Sequence, residues 1–278
     1  MSLLDKTKEI CKLYDIWPSR SKGQNFLVNE EVYDRIVEAA SLTKEDVVLE
    51  VGPGLGFLTA RLAEAAGRVI SVELDDKLAE FNRVKIKNEK RENVELINSD
   101  ILKLNLFDTK YQIQNTKYKI VANLPYNITS FFLRTVFTSW PKPKEMVLLL
   151  QKEVVERICA RPGDMSLLAL SIQYHAEVEN LFNVSRSDFW PSPEVDSAVI
   201  RIKTKEAPAG DDKERSMFRL AKIGFSAKRK MLKNNLAGGL KMLPSETENL
   251  LVSAGLPAKA RAEDLSVDDW LRLSSLQK

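Results

Sequence analysis

Residues 46–66, DVVLEVGPGLGFLTARLAEAA, decide the fold. Residues 46–51 are short, rich in valine and end at glycines. Residues 57–66 then carry their apolar positions at helical spacing. Strand, glycine turn and helix in that order open a βαβ unit, and the pattern repeats downstream. Residues 68–74 predict a second strand and 76–88 a second helix. Residues 94–100 predict a third strand, 117–124 a fourth and 145–151 a fifth. The last two precede helical stretches at 130–137 and 152–160. Nearly continuous apolar strands suit a mostly parallel sheet covered on both faces, the α/β class.

The rhythm then changes. Residues 176–184 and 196–203 are β-rich with no helix between them, joined by SRSDFWPSPEV. Strands without a crossover helix pair antiparallel, so a hairpin is expected at one edge of the sheet. Residues 204–213 are polar, contain Pro and Gly, and read as a linker. Helical patterns follow around 214–224, 245–254 and 266–276, with Ser245 and Ser266 as N-caps. The expected organisation is an α/β domain over 1–205 and a small α-helical domain over 206–278.

Bulk numbers exclude several classes. The 278 residues are 44% hydrophobic and 29% charged, as in an ordinary globular protein. No apolar run reaches the roughly 18 residues that span a bilayer. The N-terminus carries acids and lacks the apolar centre of a signal peptide. No membrane partner is therefore expected. Cys11 and Cys159 lie far apart, with no Cys or His at ligand spacing, so neither a disulfide framework nor a metal site is expected. The expected compartment is the cytoplasm. Net charge is only +3, but Lys222, Lys228, Arg229, Lys230 and Lys233 fall within one stretch that holds no acid. That run is either a solvated helix face or a phosphate-contacting patch.

The glycines stand at 52, 54 and 56. A dinucleotide fingerprint, G-x-G-x-x-G, would need one at 57, where Phe57 stands. Glycine here permits tight turning and close approach of backbone to a ligand, or serves structure alone. Glu73 ends the second strand about 20 residues past the loop, where an acid accepts hydrogen bonds from ribose hydroxyls. Asp100 ends the third strand and can accept from an exocyclic adenine amine. Either acid also suits a helix N-cap. Together they point to a ligand with ribose and adenine at the carboxyl ends of the strands. No phosphate-binding P-loop occurs, which leaves a nicotinamide nucleotide or S-adenosylmethionine.

The fourth strand ends in Asn-Leu-Pro-Tyr, residues 123–126. An aromatic amine is a poor nucleophile because its lone pair is delocalised. Two carbonyl oxygens accepting its N–H bonds favour a pyramidal nitrogen, and the Asn123 side chain and the Leu124 backbone can supply them. Pro125 stiffens the turn. Tyr126 offers a stacking face for a base. The alternative is a strand-ending turn with Tyr126 packed in the core.

With these motifs in order, the chain resembles the small-subunit ribosomal RNA adenine N6,N6-dimethyltransferases, the family whose loss gives kasugamycin resistance. The resemblance runs from about residue 20 to the C-terminus. It is carried by GQNFLVN, EVGPGLGFLT, VELD, NSDIL, NLPYNITS, LLQKEVVERI, FWPSPEVDSAVIRI, FSAKRKMLKNNL and RAEDLS. It implies a class I, Rossmann-like methyltransferase that uses S-adenosylmethionine and acts on the small ribosomal subunit and its 16S rRNA, as a monomer. It also implies that Asn25 and Leu27 touch the cofactor, that Gly52 and its loop with Gly54 lie under the methionine part, that Glu73 takes the ribose and that Asp100 takes the adenine. Asn123 then lies between cofactor and target amine, Tyr126 stacks on the base, and Phe189 is the second aromatic of the pocket. Trp190 stands where other members commonly carry a non-aromatic residue. The basic run becomes an rRNA contact, and the target adenines must be looped or flipped out.

Other readings remain at this point. A large-subunit rRNA methylase of the macrolide-resistance type shares similar motifs, and the basic run and RAEDLS ending favour the small-subunit family. A DNA adenine methylase lacks support because its acidic DPPY motif is absent. A mainly non-catalytic assembly factor is the alternative of a different class. His175, the single histidine, reads as structural, and Glu50 either orients the glycine loop or reaches the cofactor amine.

Overall fold

The computed structural model describes residues 1–19, 23–106, 108, 113, 118–205, 211–227 and 229–277. In chain order the elements are α1 (Leu3–Leu13), β1 (Phe26–Leu27), α2 (Glu30–Ala39), β2 (Val47–Val51), α3 (Phe57–Ala65), β3 (Arg68–Glu73), α4 (Asp76–Asn88) and β4 (Val94–Asn98). Then come β5 (Lys119–Asn123), α5 (Thr129–Ser139), β6 (Glu145–Gln151), α6 (Lys152–Ile158), α7 (Leu167–His175), β7 (Ala176–Val184), β8 (Phe189–Trp190) and β9 (Ser197–Thr204). The chain ends with α8 (Asp211–Gly224), α9 (Leu232–Leu240), α10 (Pro244–Ser253) and α11 (Val267–Ser275).

The first compact unit comprises Met1–Val155 and Glu179–Thr204. Its sheet has the order β4-β3-β2-β5-β6-β9-β7. Strands β4 to β6 are parallel, and β9 runs antiparallel to β6 with Leu149 opposite Val199. The two strands expected as an edge hairpin do close the sheet at one end, with β9 inside and β7 outermost. A parallel sheet needs apolar cover on both faces. Val48, Leu49, Val69, Ile70, Ile120, Val121, Val147 and Leu148 are all essentially inaccessible, in keeping with that.

A second, two-stranded sheet pairs β1 with β8 antiparallel, Phe26 opposite Trp190 and Leu27 opposite Phe189. It ties the N-terminal arm to the connection between β7 and β9. The side chain of Asn29, which caps α2, reinforces the tie by donating to Asp188 Oδ1 at 2.9 Å.

The second unit comprises Glu156–Val178 and Lys205–Lys278. A single cut at 205/206 is thus corrected: residues 156–178 group with the C-terminal helices. The cause is apolar packing. Met165, Leu170 and Tyr174 share one buried cluster with Met217, Leu220, Leu251 and Trp270. His175 ends α7, buried, with its Nε2 3.4 Å from Glu214, which agrees with a structural role.

Ser266 caps α11 and forms a capping box with Asp269. Ser245 is not a cap. It lies inside α10, because Pro244 occupies the first turn and Glu246 accepts the Leu243 amide at 2.7 Å. The sequence pattern places His175 on a helix, which α7 is, and gives no sign of α1, α2 or α9. Among the described residues no helix is long and apolar enough to cross a membrane.

Candidate active site

In the first unit a cavity of about 190 Å³ opens where β2, β3, β4 and β5 end. The carboxyl ends of parallel strands are the expected place for a ligand in an open α/β sheet. The glycine loop forms its floor, the NLPY turn one wall and the N-terminal arm from Gly23 to Leu27 another.

The floor is set by backbone geometry. Gly52 and Gly54 have φ of +69° and +57°, which L-residues with side chains rarely adopt. A Cβ at Gly54 would meet the Phe26 ring at 3.4 Å, an ordinary contact, so the arm packs directly on the loop and it is the positive φ that favours glycine there. A Cβ at Gly52 would stand 3.6 Å from the Pro125 ring. The loop and the NLPY turn are therefore in direct apposition, although some 70 residues separate them in sequence.

Glu73 is 5% exposed, and its two oxygens accept the amides of Gly54 at 3.2 Å and Asp75 at 2.9 Å. Burial raises its pKa, opposed by those amide bonds. Each oxygen keeps a further lone pair for a hydroxyl donor. Asp100 lines the cavity beyond β4, accepts the Leu102 amide at 3.0 Å and lies 3.7 Å from Lys103. Its capping and lining positions coexist in one side chain.

Glu50 stands at the end of β2, 1% exposed and lining the cavity. Its Oε2 accepts the hydroxyls of Thr59, at 2.7 Å, and of Ser71. Its Oε1 has no hydrogen-bond partner among the described residues. Burial pushes this carboxyl up to about 7, against the pull of Ser71 and Thr59. Sequence reasoning left Glu50 between two roles, and only its burial separates it from an ordinary loop acid.

Asn123 ends β5, half-buried and lining the cavity. Leu124 extends the ladder, its amide donating to Leu149 at 3.2 Å, and its side chain is buried. Tyr126 also lines the cavity, and its hydroxyl lies 2.5 Å from Ser197 Oγ. The motif is thus more than a strand-ending turn.

The arm contributes Asn25 and Leu27 to the lining. Asn25 Nδ2 donates to Gly23 at 3.5 Å, and Tyr33 donates its hydroxyl to the Leu27 carbonyl at 3.0 Å. Gln24, which sequence reasoning missed, bridges the arm to Asp75 at 3.4 Å. Phe189 does not join this set. It is 4% exposed, sits in the apolar core and meets the cavity-lining Leu27 only through the β1–β8 register. Of the two expected aromatics, only Tyr126 faces the cavity.

The basic run belongs to the second unit. Lys222, Arg229 and Lys230 are exposed, while Lys233 pairs with Glu248 at 2.6 Å. Lys228 lies outside the described residues. No group of three His, Cys, Asp or Glu among the described residues could hold a metal ion.

The cavity fits a cofactor that carries adenosine and an amino acid. Two acids stand at successive strand ends, the floor lacks side chains where a ligand must lie close, and a buried carboxylate oxygen is left without a partner.

The comparisons agree with this geometry. A "Ribosomal RNA small subunit methyltransferase A" from Dehalococcoides mccartyi is 42% identical over 273 residues, 98% of this chain and 92% of that protein. One of the same name from Enterococcus faecalis is 36% identical, covering 97% and 94%. Among solved structures, a dimethyladenosine transferase from Plasmodium falciparum superposes with a TM-score of 0.74 at 27% identity, covering 88% of this chain and 94% of that one. The 23S rRNA methyltransferase ErmE superposes with 0.73 at 28% identity, covering 91% and 99%. The sequence profile described as "Ribosomal RNA adenine dimethylase" matches residues 19–278, which include the arm, the glycine loop, both acids and the NLPY turn, and the chain belongs to that family.

Proposed function

We propose that the protein transfers methyl groups to N6 of two adjacent adenosines in the 3′-terminal hairpin loop of small-subunit rRNA, giving N6,N6-dimethyladenosine. It is an rRNA adenine dimethyltransferase that uses S-adenosylmethionine. In this reading it works in the cytoplasm, as a monomer, on an assembling small subunit. The observation that carries the reading is the apposition of Pro125 and Gly52, which sets the NLPY turn against the glycine loop.

Asn25, Leu27, Gly52, Gly54, Glu73 and Asp100 hold the cofactor. When bound, the cofactor supplies an electrophilic methyl group on a sulfonium. The Asn123 side-chain oxygen and the Leu124 carbonyl accept the two N–H bonds of the target amine and aim its lone pair. Asn123 is no base, so its contribution is orientation and electrostatics. Tyr126 stacks on the adenine, held by Ser197. The amine proton leaves to solvent after transfer. Lys222, Lys228, Arg229 and Lys230 contact phosphate and set register without reading sequence.

The large-subunit reading rests on the likeness to ErmE, whose TM-score of 0.73 stands beside 0.74 for the dimethyladenosine transferase. Greater identity with the small-subunit relatives favours the first reading. The test offers labelled S-adenosylmethionine with unmethylated small subunits, large-subunit RNA or duplex DNA. Label in small subunits alone supports the reading. Label in large-subunit RNA transfers the protein to the resistance type, and no label despite cofactor binding favours an assembly factor.

A further inference from the structure

Helix α4 lies behind the glycine loop, touches the cavity through Leu78, and sends two further side chains to the loop. Asn82 Nδ2 donates to the Gly54 carbonyl at 2.7 Å. Lys85 Nζ donates to the carbonyls of Leu55 at 2.9 Å and Gly56 at 2.8 Å. Three consecutive carbonyls of the loop are thus tied to residues one helical turn apart. Asn82 is 1% exposed, and a second bond, to the Leu78 carbonyl at 2.8 Å, fixes its amide.

We propose that Asn82 and Lys85 are positioning residues for cofactor binding, a clamp that draws the loop carbonyls back toward α4 and holds the loop backbone shaped for the ligand.

Three observations support it. First, the arrangement is costly. A largely buried ammonium loses hydration, and here it sits at the N-terminus of α3, where the helix dipole disfavours a cation. Among the described residues no carboxylate lies within ion-pair distance of it; its hydrogen bonds go to the loop. Burial lowers its pKa to about 8. What offsets the cost is polar: the two loop carbonyls and the face of the Phe57 ring, whose centroid lies 4.9 Å from Nζ, none of which an apolar side chain would use as a donor or cation does. Second, the clamp accounts for the third glycine. Gly56 has φ +69°, and a Cβ there would overlap the Asn82 amide and stand 3.2 Å from Lys85 Nζ. Glycine at 56 rather than 57 is the departure from the dinucleotide spacing, and 56 is where the clamp closes. Third, the other side of the loop is held separately, by Glu73 on the Gly54 amide at 3.2 Å. The loop is gripped by its amide from β3 and by its carbonyls from α4.

The inference rests on the reading of this cavity as the cofactor site. The test is calorimetric titration of the full chain with S-adenosylmethionine, together with hydrogen exchange of the loop amides without cofactor. Lys85→Met is expected to raise the cofactor Kd about tenfold, with faster exchange at residues 54–57 and rRNA affinity held within about twofold. Lys85→Arg, which can still donate to two carbonyls, is expected to recover most of the affinity. Should Lys85→Met not fold, Asn82→Ala removes the Gly54 anchor, along with the bond to Leu78, and leaves the Lys85 anchors in place; an unchanged Kd there overturns the clamp. So does a Lys85→Met protein with wild-type Kd and wild-type exchange. Asp100→Ala separates the two claims. If it leaves cofactor affinity intact, the site reading fails; if it weakens binding while Lys85→Met does not, the clamp alone fails.

Discussion

The phenolic oxygen of Tyr126 lies 2.5 Å from Ser197 Oγ. Ser197 is fully buried at the start of β9, opposite Gln151 on β6. The antiparallel edge therefore fixes the ring that the NLPY turn presents to the cavity. Tyr126→Phe keeps the stacking face and leaves Ser197 without this partner, a loss of about 1 kcal/mol, so kcat/KM for rRNA should fall about fivefold. Tyr126→Ala removes the face as well, and the fall should reach about 10- to 100-fold. Steady-state kinetics at saturating cofactor compare them. Equal losses in the two variants would rule out stacking.

Glu50 predicts a pH dependence of stability. Its folded pKa, about 7, lies above the ordinary 4.5 because burial disfavours the charged form. Between those values the unfolded chain gives up its proton while the folded one retains it. The contribution of Glu50 is thus full below pH 4.5 and lost as pH rises through about 7, by about 3 kcal/mol. Glu50→Gln stays neutral throughout. In denaturant titrations it should match the wild type near pH 4 and exceed it at pH 8. Parallel stability curves across that range would show that Glu50 is not buried in neutral form.

The basic run divides by structure. Arg229 and Lys230 are exposed, whereas Lys233 is engaged by Glu248. Replacing Lys228, Arg229 and Lys230 with Glu should weaken rRNA binding and reduce the salt slope of log K by about 2, at about 0.7 per phosphate contact. Lys233→Ala should change affinity less than the triple variant, and cofactor affinity should hold in both. Filter binding across a salt series reads this. An unchanged slope in the triple variant returns the run to a solvated face.

Much of this was legible in the sequence, for identifiable reasons. Strands β2, β3, β5 and β6 announced themselves because both faces of the sheet are covered there and their apolar runs are nearly unbroken, whereas β4, at the edge, is only half-buried. That Gly52, Gly54, Glu73, Asp100 and Asn123 line one cavity was legible because each sits at a strand end, where topology converts chain position into position in space. Phe189 was placed at the pocket by resemblance, and its burial follows from a two-residue ladder with Leu27 that no local pattern reveals. Residues 156–178 joined the C-terminal unit through contacts between α7 and distant helices, which periodicity does not encode. The Ser245 cap failed because Pro244 takes the first helical turn. Glu50 and Lys85 looked like ordinary charged residues; what distinguishes them is burial, a property of the folded chain.

Asn123 carries the central claim, and single-turnover methylation of unmethylated small subunits tests it, with the modified nucleoside identified after digestion. The wild type should yield N6,N6-dimethyladenosine. Asn123→Ala should yield almost none, while its cofactor affinity stays within about tenfold and it still binds subunits. Dimethyladenosine formed by Asn123→Ala at the wild-type rate would contradict the assignment of the NLPY turn as the place where the amine is held.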